Sequence, residues 1–407
     1  MKINQHKLKR QNRVIEKWSL NKGKGTLEAV TGFGKTYVAV LVIQDMNKRK
    51  PDRDTIVVVP TLYLKKQWED IITNMNLKNV TVMVVNTAIK KNVTCSLLVL
   101  DEIHNYASTR FKGIFRVIKY NFILGLTATM ERKDNNHILL EHYAPIIDTI
   151  DMKEAIENSY VSNFRIFNLG IEMSAKDALE YKSIGDKFYK FFSMFGHDFN
   201  TAMRCLSDPS YRKMYAEKMG WEEKETYFFA IAFNRNMQLR KKFLYYAQSK
   251  VDVAAELIKI FDVPTITFSE ATEFADSLSI KSPKHCLSYH SKLKAKEKRI
   301  VMERFSDPQD KIRVINTAKS LDEGFDISGI ELAIICSGTS SERQDLQRTG
   351  RAIRYSDGKL GMIINLYIKN TQDEKWLKAR QKKNENIVYV KNIDEINEIV
   401  NDLKLTL

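Results

Sequence analysis

Apolar residues in the first 150 positions fall into short unbroken runs separated by stretches of helical periodicity. The runs are Thr26–Val30, Thr55–Val59, Val80–Val85, Leu97–Leu100 and Phe122–Leu126. They are rich in Val, Ile and Leu and lack polar alternation, the pattern of parallel strands buried on both faces. Between them, Thr36–Asn47 and Leu62–Met75 have helical spacing. This β-α-β rhythm predicts a doubly wound α/β domain over residues 1–160. A second rhythm opens with Arg165–Gly170 and resumes with Thr265–Ser269, Lys311–Asn316, Glu331–Cys336 and Gly361–Tyr367, which predicts a second parallel-sheet domain over residues 161–407. Residues 174–250 break that second rhythm. They have few β-type runs, carry 17 of the chain's 41 aromatics, and read as a helical insertion near the start of the second domain. Phe188, Phe192 and Phe229 are expected in its core, with its basic residues outside. The polar segment Lys382–Leu407 predicts a short strand and a terminal helix.

Composition narrows the class. The apolar fraction of 43% in 407 residues suffices for two full cores. The formal charge is +15, which suits a polyanionic partner and equally a lysine-rich solvated surface. Residues 1–160 hold 25 Lys+Arg against 16 Asp+Glu, and residues 161–407 hold 40 against 34, so no basic tail explains the surplus. The four cysteines form no C-x-x-C pair, which argues against a metal cluster or disulfide framework and fits a reducing, cytoplasmic setting. No apolar run approaches the ~20 residues of a membrane span, and the charged first twenty residues carry no secretory signal.

The chemistry enters after the first strand, at Ala29-Val30-Thr31-Gly32-Phe33-Gly34-Lys35-Thr36. This is a Walker A loop with alanine in place of the first glycine. Gly32 and Gly34 let the backbone curl so that its amides, with those of Thr31 and Phe33, face phosphates. The following helix adds its dipole, Lys35 reaches the β/γ-phosphates, and Thr36 is placed to hold Mg²⁺. The other half of an ATPase site is expected at Asp101-Glu102-Ile103-His104, after an apolar strand. Asp101 would bind Mg²⁺ and Glu102 would polarise the attacking water as general base.

At this point the chain resembles the superfamily 2 helicases over nearly its whole length. The Asp101–His104 box is similar to a DExH motif. Thr127-Ala128-Thr129 resembles the motif that links hydrolysis to strand separation, with His104, Thr127 and Thr129 as coupling residues. Val59-Pro60-Thr61-Leu62 with Gln67-Trp68 is similar to the first backbone-contacting motif, and Gln11 sits where the family has an adenine-reading glutamine. In the second half, Thr267-Phe268-Ser269, Thr317-Ala318 with Asp322-Glu323-Gly324-Phe325-Asp326, and Gln347-Arg348-Thr349-Gly350-Arg351-Ala352-Ile353-Arg354 resemble the remaining motifs. The last has a physical reading of its own. In a helix, Gln347, Arg351 and Arg354 share one face, and two guanidiniums there can meet a γ-phosphate. The resemblance implies two RecA-like domains in tandem with ATP between them. Gly324 and Asp326 would touch the nucleotide, and Thr61, Asn86, Thr87, His290, Ser291 and Thr317 are candidate nucleic-acid contacts.

Within the superfamily the chain is similar to the branch of UvsW-type phage helicases and XPB-type translocases. That implies a monomeric DNA helicase or translocase acting on forked, branched or single-stranded DNA in recombination or repair, in host cytoplasm if of phage origin. The Walker A loop begins at residue 29, so no DNA-binding domain is expected ahead of the motor and the insertion becomes the candidate substitute. Three alternatives stay open: an RNA helicase, a duplex translocase without unwinding, and a binding protein whose ATPase has decayed.

Overall fold

The unbroken apolar runs become strands. The computed structural model describes residues 5–131, 135–161, 163–282, 285–307, 309–318, 329–338, 360–381 and 387–406. In its first half, β1 (Lys24–Ala29), β2 (Thr55–Val59), β3 (Val80–Val84), β4 (Val93–Asp101), β5 (Ile118–Thr127) and β6 (Ile146–Ile150) form one sheet in the order β3-β2-β4-β5-β1-β6. Every pairing in it is parallel. All five residues of β2 are buried, as its run of valines requires when helices cover both faces.

The second sheet is also wholly parallel. It comprises β7 (Asn163–Ile171), β8 (Thr265–Ser269), β9 (Cys286–His290), β10 (Val314–Ala318), β11 (Leu332–Ile335), β12 (Leu360–Ile368) and β13 (Ile387–Val390), in the order β13-β7-β12-β11-β8-β10-β9. The polar C-terminal segment yields β13 and the helix Ile393–Thr406, as its pattern predicts.

Two strands and one helix escape the hydrophobic pattern. β6 is interrupted by Asp148, whose buried carboxylate is held by Arg10 and Lys17. β9 reads Cys-Leu-Ser-Tyr-His and is half polar, yet it pairs residue for residue with β10. The helix Gln5–Leu20 looks like a solvated charged start. Its buried residues, Gln11, Val14 and Trp18, instead lie at helical spacing and pack on the first sheet, where the Trp18 indole donates to the Ile123 carbonyl at 2.9 Å.

Residues after β7 form four helices, Ala175–Ser193, Phe199–Ser207, Pro209–Met219 and Glu223–Tyr245. Ser174, Asp198 and Asp208 cap the first three by accepting backbone N–H bonds, and Pro209 sits at a helix start where its missing N–H costs nothing. These helices have their own core. Phe195 and Phe233 are fully buried, while Phe188, Phe192 and Phe229 are half-buried around them. The next helix, Gln248–Phe261, belongs to the second sheet. Its Val251, Ala254 and Leu257 join the core that includes β11 and β12, and its buried Lys250 pairs with Asp373 at 2.6 Å.

Parallel strands put all their carboxyl ends on one edge of a sheet, which is where open α/β sheets bind ligands. The segments that carry chemical motifs follow β1, β2, β3, β4 and β5 in the first sheet, and β8, β9 and β10 in the second. Among the described residues, no helix is long and apolar enough to cross a membrane.

Candidate ATP site and nucleic-acid edge

The phosphate loop leaves β1 at Ala29 and enters the helix Lys35–Arg49. Gly32 and Gly34 have φ of 93° and 91°, in the left-handed region that a side chain resists. Gly34 has a second reason to lack a side chain. A Cβ there would stand 2.8 Å from the Gln11 amide nitrogen. The loop thus curls ahead of a helix N-terminus, a setting that suits phosphate oxygens, although the Phe33 N–H expected to face phosphate donates to the Val30 carbonyl at 3.3 Å. The Lys35 ammonium folds over it and donates to the Ala29 carbonyl at 2.8 Å.

Helix Gln5–Leu20 braces this loop from outside. Gln11 Nε2 donates to the Phe33 carbonyl at 3.0 Å, and Lys7 Nζ donates to the Gly32 carbonyl at 2.6 Å and the Tyr160 carbonyl at 3.0 Å. Phe33 is fully buried and meets the Tyr160 ring edge-on at 5.5 Å. The Gln11 amide therefore rests on the loop backbone. Lys7 and Tyr160 were not singled out from the sequence. The i, i+3, i+7 spacing of Gln11, Val14 and Trp18 was the available signal for the helix, but nothing local marks Tyr160.

At the end of β4, Asp101 is 6% exposed. Its Oδ2 accepts the Trp68 indole N–H at 2.9 Å and its Oδ1 accepts the Glu102 amide at 3.1 Å. Burial pushes the Asp101 carboxyl above the usual carboxylate range, against the Trp68 hydrogen bond and the nearby charge of Lys35. A divalent cation would stabilise such a carboxylate, and the Asp101 and Thr36 oxygens are the donor types that would hold Mg²⁺. Glu102 has φ 51° and ψ 52°, a left-handed conformation uncommon outside glycine and costly for a long side chain. It turns the chain sharply into the short 3-10 turn Ile103–Ala107.

His104 is fully buried, with Nδ1 2.9 Å from Thr127 Oγ1 and 3.4 Å from Glu102 Oε2. The Thr127 hydroxyl donates to the Thr129 carbonyl at 2.8 Å and accepts the Thr129 amide at 3.2 Å. Its one proton is thus committed, so His104 Nδ1 is the donor in their contact. Strand ends β4 and β5 are therefore joined by hydrogen bonds from His104 through Thr127 to Thr129, and Glu102 Oε2 stands 3.4 Å from the same His104 nitrogen.

The nucleic-acid candidates divide by exposure. Thr61 caps the helix Leu62–Asn74, accepting the Leu64 amide at 3.2 Å. Asn86 and Thr87 are exposed after β3, and Asn86 accepts from Arg110 at 3.0 Å. Ser291 is exposed. His290 is buried against Asp276 at 2.9 Å, and Thr317 is buried with its hydroxyl donated to the Thr267 carbonyl at 2.7 Å. Those last two build the strand ends rather than present free side chains. Gly324, Asp326, Gln347, Arg351 and Arg354 lie outside the described residues.

Comparison with known proteins agrees with this fold. Residues 1–96 and 85–132 match the family "Type III restriction enzyme, res subunit", and residues 249–356 match "Helicase conserved C-terminal domain". The chain is 25% identical over 392 residues to the "DNA 3'-5' translocase XPB2" of Sulfurisphaera tokodaii, covering 91% of this chain and 83% of that one. It is 22% identical over 395 residues to "Putative helicase 22" of a Sulfolobus islandicus filamentous virus, covering 86% of this chain and 62% of that one. An African swine fever virus "Putative ATP-dependent RNA helicase" is 31% identical over 147 residues, 30% of this chain and 28% of that one. Among solved structures, S. cerevisiae Dbp5 bound to RNA and ADP BeF3 aligns with a TM-score of 0.64, 15% identity, and coverage of 97% of this chain and 93% of that one. The Pyrococcus furiosus Hef helicase domain aligns at 0.54, with 14% identity and coverage of 91% and 97%.

Two parallel-sheet RecA-like domains and paired helicase families define the class. The chain belongs to the superfamily 2 helicases and is an ATP-hydrolysing motor that works on nucleic acid. Within that superfamily it is similar to the XPB-type translocases and to viral helicases.

Proposed function

We propose that this motor is a DExH-type, DNA-directed translocase or helicase that works as a monomer in the cytoplasm at single-stranded, forked or branched DNA. The observation that carries the DNA assignment is the extent of the likeness. The relative named as a DNA 3'-5' translocase matches 91% of this chain, whereas the relative named as an RNA helicase matches 30%. In this reading Lys35 and the loop of residues 31–34 would hold the triphosphate, Gln11 would read adenine beside them, and Asp101 with Thr36 would hold Mg²⁺. That ion would neutralise charge on the β- and γ-phosphates. Glu102 orients and deprotonates water, and the polar chain through His104 to Thr127 and Thr129 carries the state of the site to the strand edge. Gly324 and Asp326 would contact the nucleotide from the second domain, where Gln347, Arg351 and Arg354 would face the γ-phosphate. Thr61, Asn86, Thr87 and Ser291 would meet backbone phosphates, while His290 and Thr317 shape the strand ends behind them.

The four-helix insertion is the proposed fork grip. Tyr189, Phe199, Tyr227 and Phe228 are exposed on it, and basic groups stand among the rings. The Arg212 guanidinium lies 4.3 Å from the Tyr227 ring centre and that of Arg204 lies 3.8 Å from Tyr211. Rings and guanidiniums together suit unpaired bases beside phosphates.

The test is ATPase stimulation by single-stranded, duplex, forked and four-way DNA with matched RNA, and unwinding of the fork, in the whole chain and in a trimmed one. The packing dictates where to trim. Tyr181, Phe243 and Leu244 pack with the second-sheet core, and Lys250 is the partner of buried Asp373, so removing all of residues 174–250 would unpair that carboxylate. Phe188 faces Phe233, and Arg240 faces Tyr181, so residues 185 and 236 stand opposite each other. A Gly/Ser linker replacing residues 186–235 keeps the base. The expected result is DNA stimulation exceeding RNA, with fork unwinding lost and single-strand ATPase retained in the trimmed chain. Stronger stimulation by RNA would favour the RNA-helicase reading, and triplex displacement without unwinding would favour the duplex translocase. Equal fork unwinding by both chains would remove the insertion's role.

A further inference from the structure

The geometry points to Trp68 as a positioning residue that ties strand engagement at Thr61 to the carboxylate of Asp101. It rests on the readings of Asp101 as the Mg²⁺-holding group and Thr61 as a strand contact.

Trp68 lies on the helix Leu62–Asn74, whose other buried residue is Leu64, one turn away on the same face. The indole is 1% exposed, and its N–H donates to Asp101 Oδ2 at 2.9 Å. Indole nitrogen only donates, so Asp101 Oδ2 is the acceptor in this contact. Asp101 Oδ1 is already engaged by the Glu102 amide. The two bonds together fix the carboxylate plane, as the outer partners of a metal-binding carboxylate commonly do.

The same helix begins at its cap Thr61, on the loop that leaves β2. Seven residues separate Thr61 from Trp68, about 10 Å along a helix. A rigid segment of that length moves as a unit. A shift of its N-terminus when a strand binds therefore displaces the indole, and with it the carboxylate. Core packing alone would explain the burial of the ring, but it gives no reason for the indole nitrogen to face Asp101. Trp18 shows the ordinary alternative in the same domain: its indole N–H goes to a backbone carbonyl, that of Ile123.

That pair supplies the experiment. Trp68→Phe deletes the N–H and keeps most of the ring, and Trp18→Phe makes the same change away from Asp101, at the Ile123 carbonyl. Two quantities are compared: the Mg²⁺ concentration that half-saturates binding of a fluorescent ATP analogue, and the ratio of single-strand-stimulated to basal ATPase. In Trp68→Phe the first is expected to rise about tenfold and the second to fall about tenfold. Trp18→Phe loosens the helix that braces the loop, so it should weaken analogue binding alike at every Mg²⁺ concentration while leaving the Mg²⁺ half-saturation point and the stimulation ratio in place. Identical behaviour of the two variants would overturn the inference. A second measurement uses the native residue. The full chain is labelled with 5-fluorotryptophan, and its Trp68 signal is assigned by elimination with Trp→Phe variants at 18, 221 and 376. That signal should shift with Mg²⁺ plus the analogue and shift again with an oligonucleotide. An immobile signal would also overturn it. Full turnover in Asp101→Asn would instead remove the underlying assignment of the Mg²⁺ site.

Discussion

At the scale of single residues, the proposed roles of Lys35 and Glu102 separate binding from chemistry. Lys35 lies across the phosphate loop, so its loss removes the nearest fixed cation from the triphosphate. Glu102 is held in a left-handed backbone conformation beside Asp101, 3.4 Å from His104, and in the proposed reading it acts on water rather than on phosphate. Lys35→Ala should therefore abolish binding of a fluorescent ATP analogue. Glu102→Gln should bind it normally and lose about 10²–10⁴ in phosphate release. Normal turnover in Glu102→Gln would remove that residue as general base. These residues were legible in the sequence because their spacing is local: a loop needs glycine where φ is positive, and Mg²⁺ needs an acid at a strand end. Trp68, Lys7 and Tyr160 were not picked out as parts of the ATP site, because each meets it through a partner 25 or more positions away.

At the scale of elements, helix Gln5–Leu20 matters more than its charged sequence suggests. It brings Lys7 and Gln11 to the phosphate loop, and Arg10 and Lys17 fasten it to Asp148 of β6. Burial alone would raise the Asp148 carboxyl, but the hydrogen bonds from Arg10 and Lys17 hold it below the usual carboxylate range. A depressed carboxylate contributes its stability above the unfolded value near pH 4 and loses it as pH falls through the folded value. Asp148→Asn should thus cost about 1.5–3 kcal/mol in urea unfolding at pH 7, and the gap to the parent chain should shrink at pH 3. Nucleotide affinity should fall with it, because the brace on the loop loosens. A gap independent of pH would mean that the ion pairs contribute nothing. The same residues explain why β6 and this helix were missed by apolar patterning, since their burial depends on charges that meet only after folding. β2 needed no such partner, and its five apolar-facing positions read directly as a strand.

At the scale of the whole molecule, the surplus of +15 is spread over both halves of the chain, which suits the proposed grip on a strand from two domains. Contacts to phosphates carry no sequence information, so affinities for unrelated single strands should agree closely. They should also depend steeply on salt. Each neutralised phosphate adds about −0.7 to the slope of log K against log salt on a single strand, so five contacts lose about 100-fold between 50 and 200 mM. If the two domains alternate their grip during the cycle, the number of phosphates held must differ between nucleotide states. The slope measured with a non-hydrolysable ATP analogue should then differ from that with ADP by about 0.7 for every contact exchanged. Equal slopes in the two states, or a strong preference for one sequence, would be incompatible with stepping along a backbone. A difference in slope would show that closure around ATP changes the hold on the strand, which is the link that turns hydrolysis into movement.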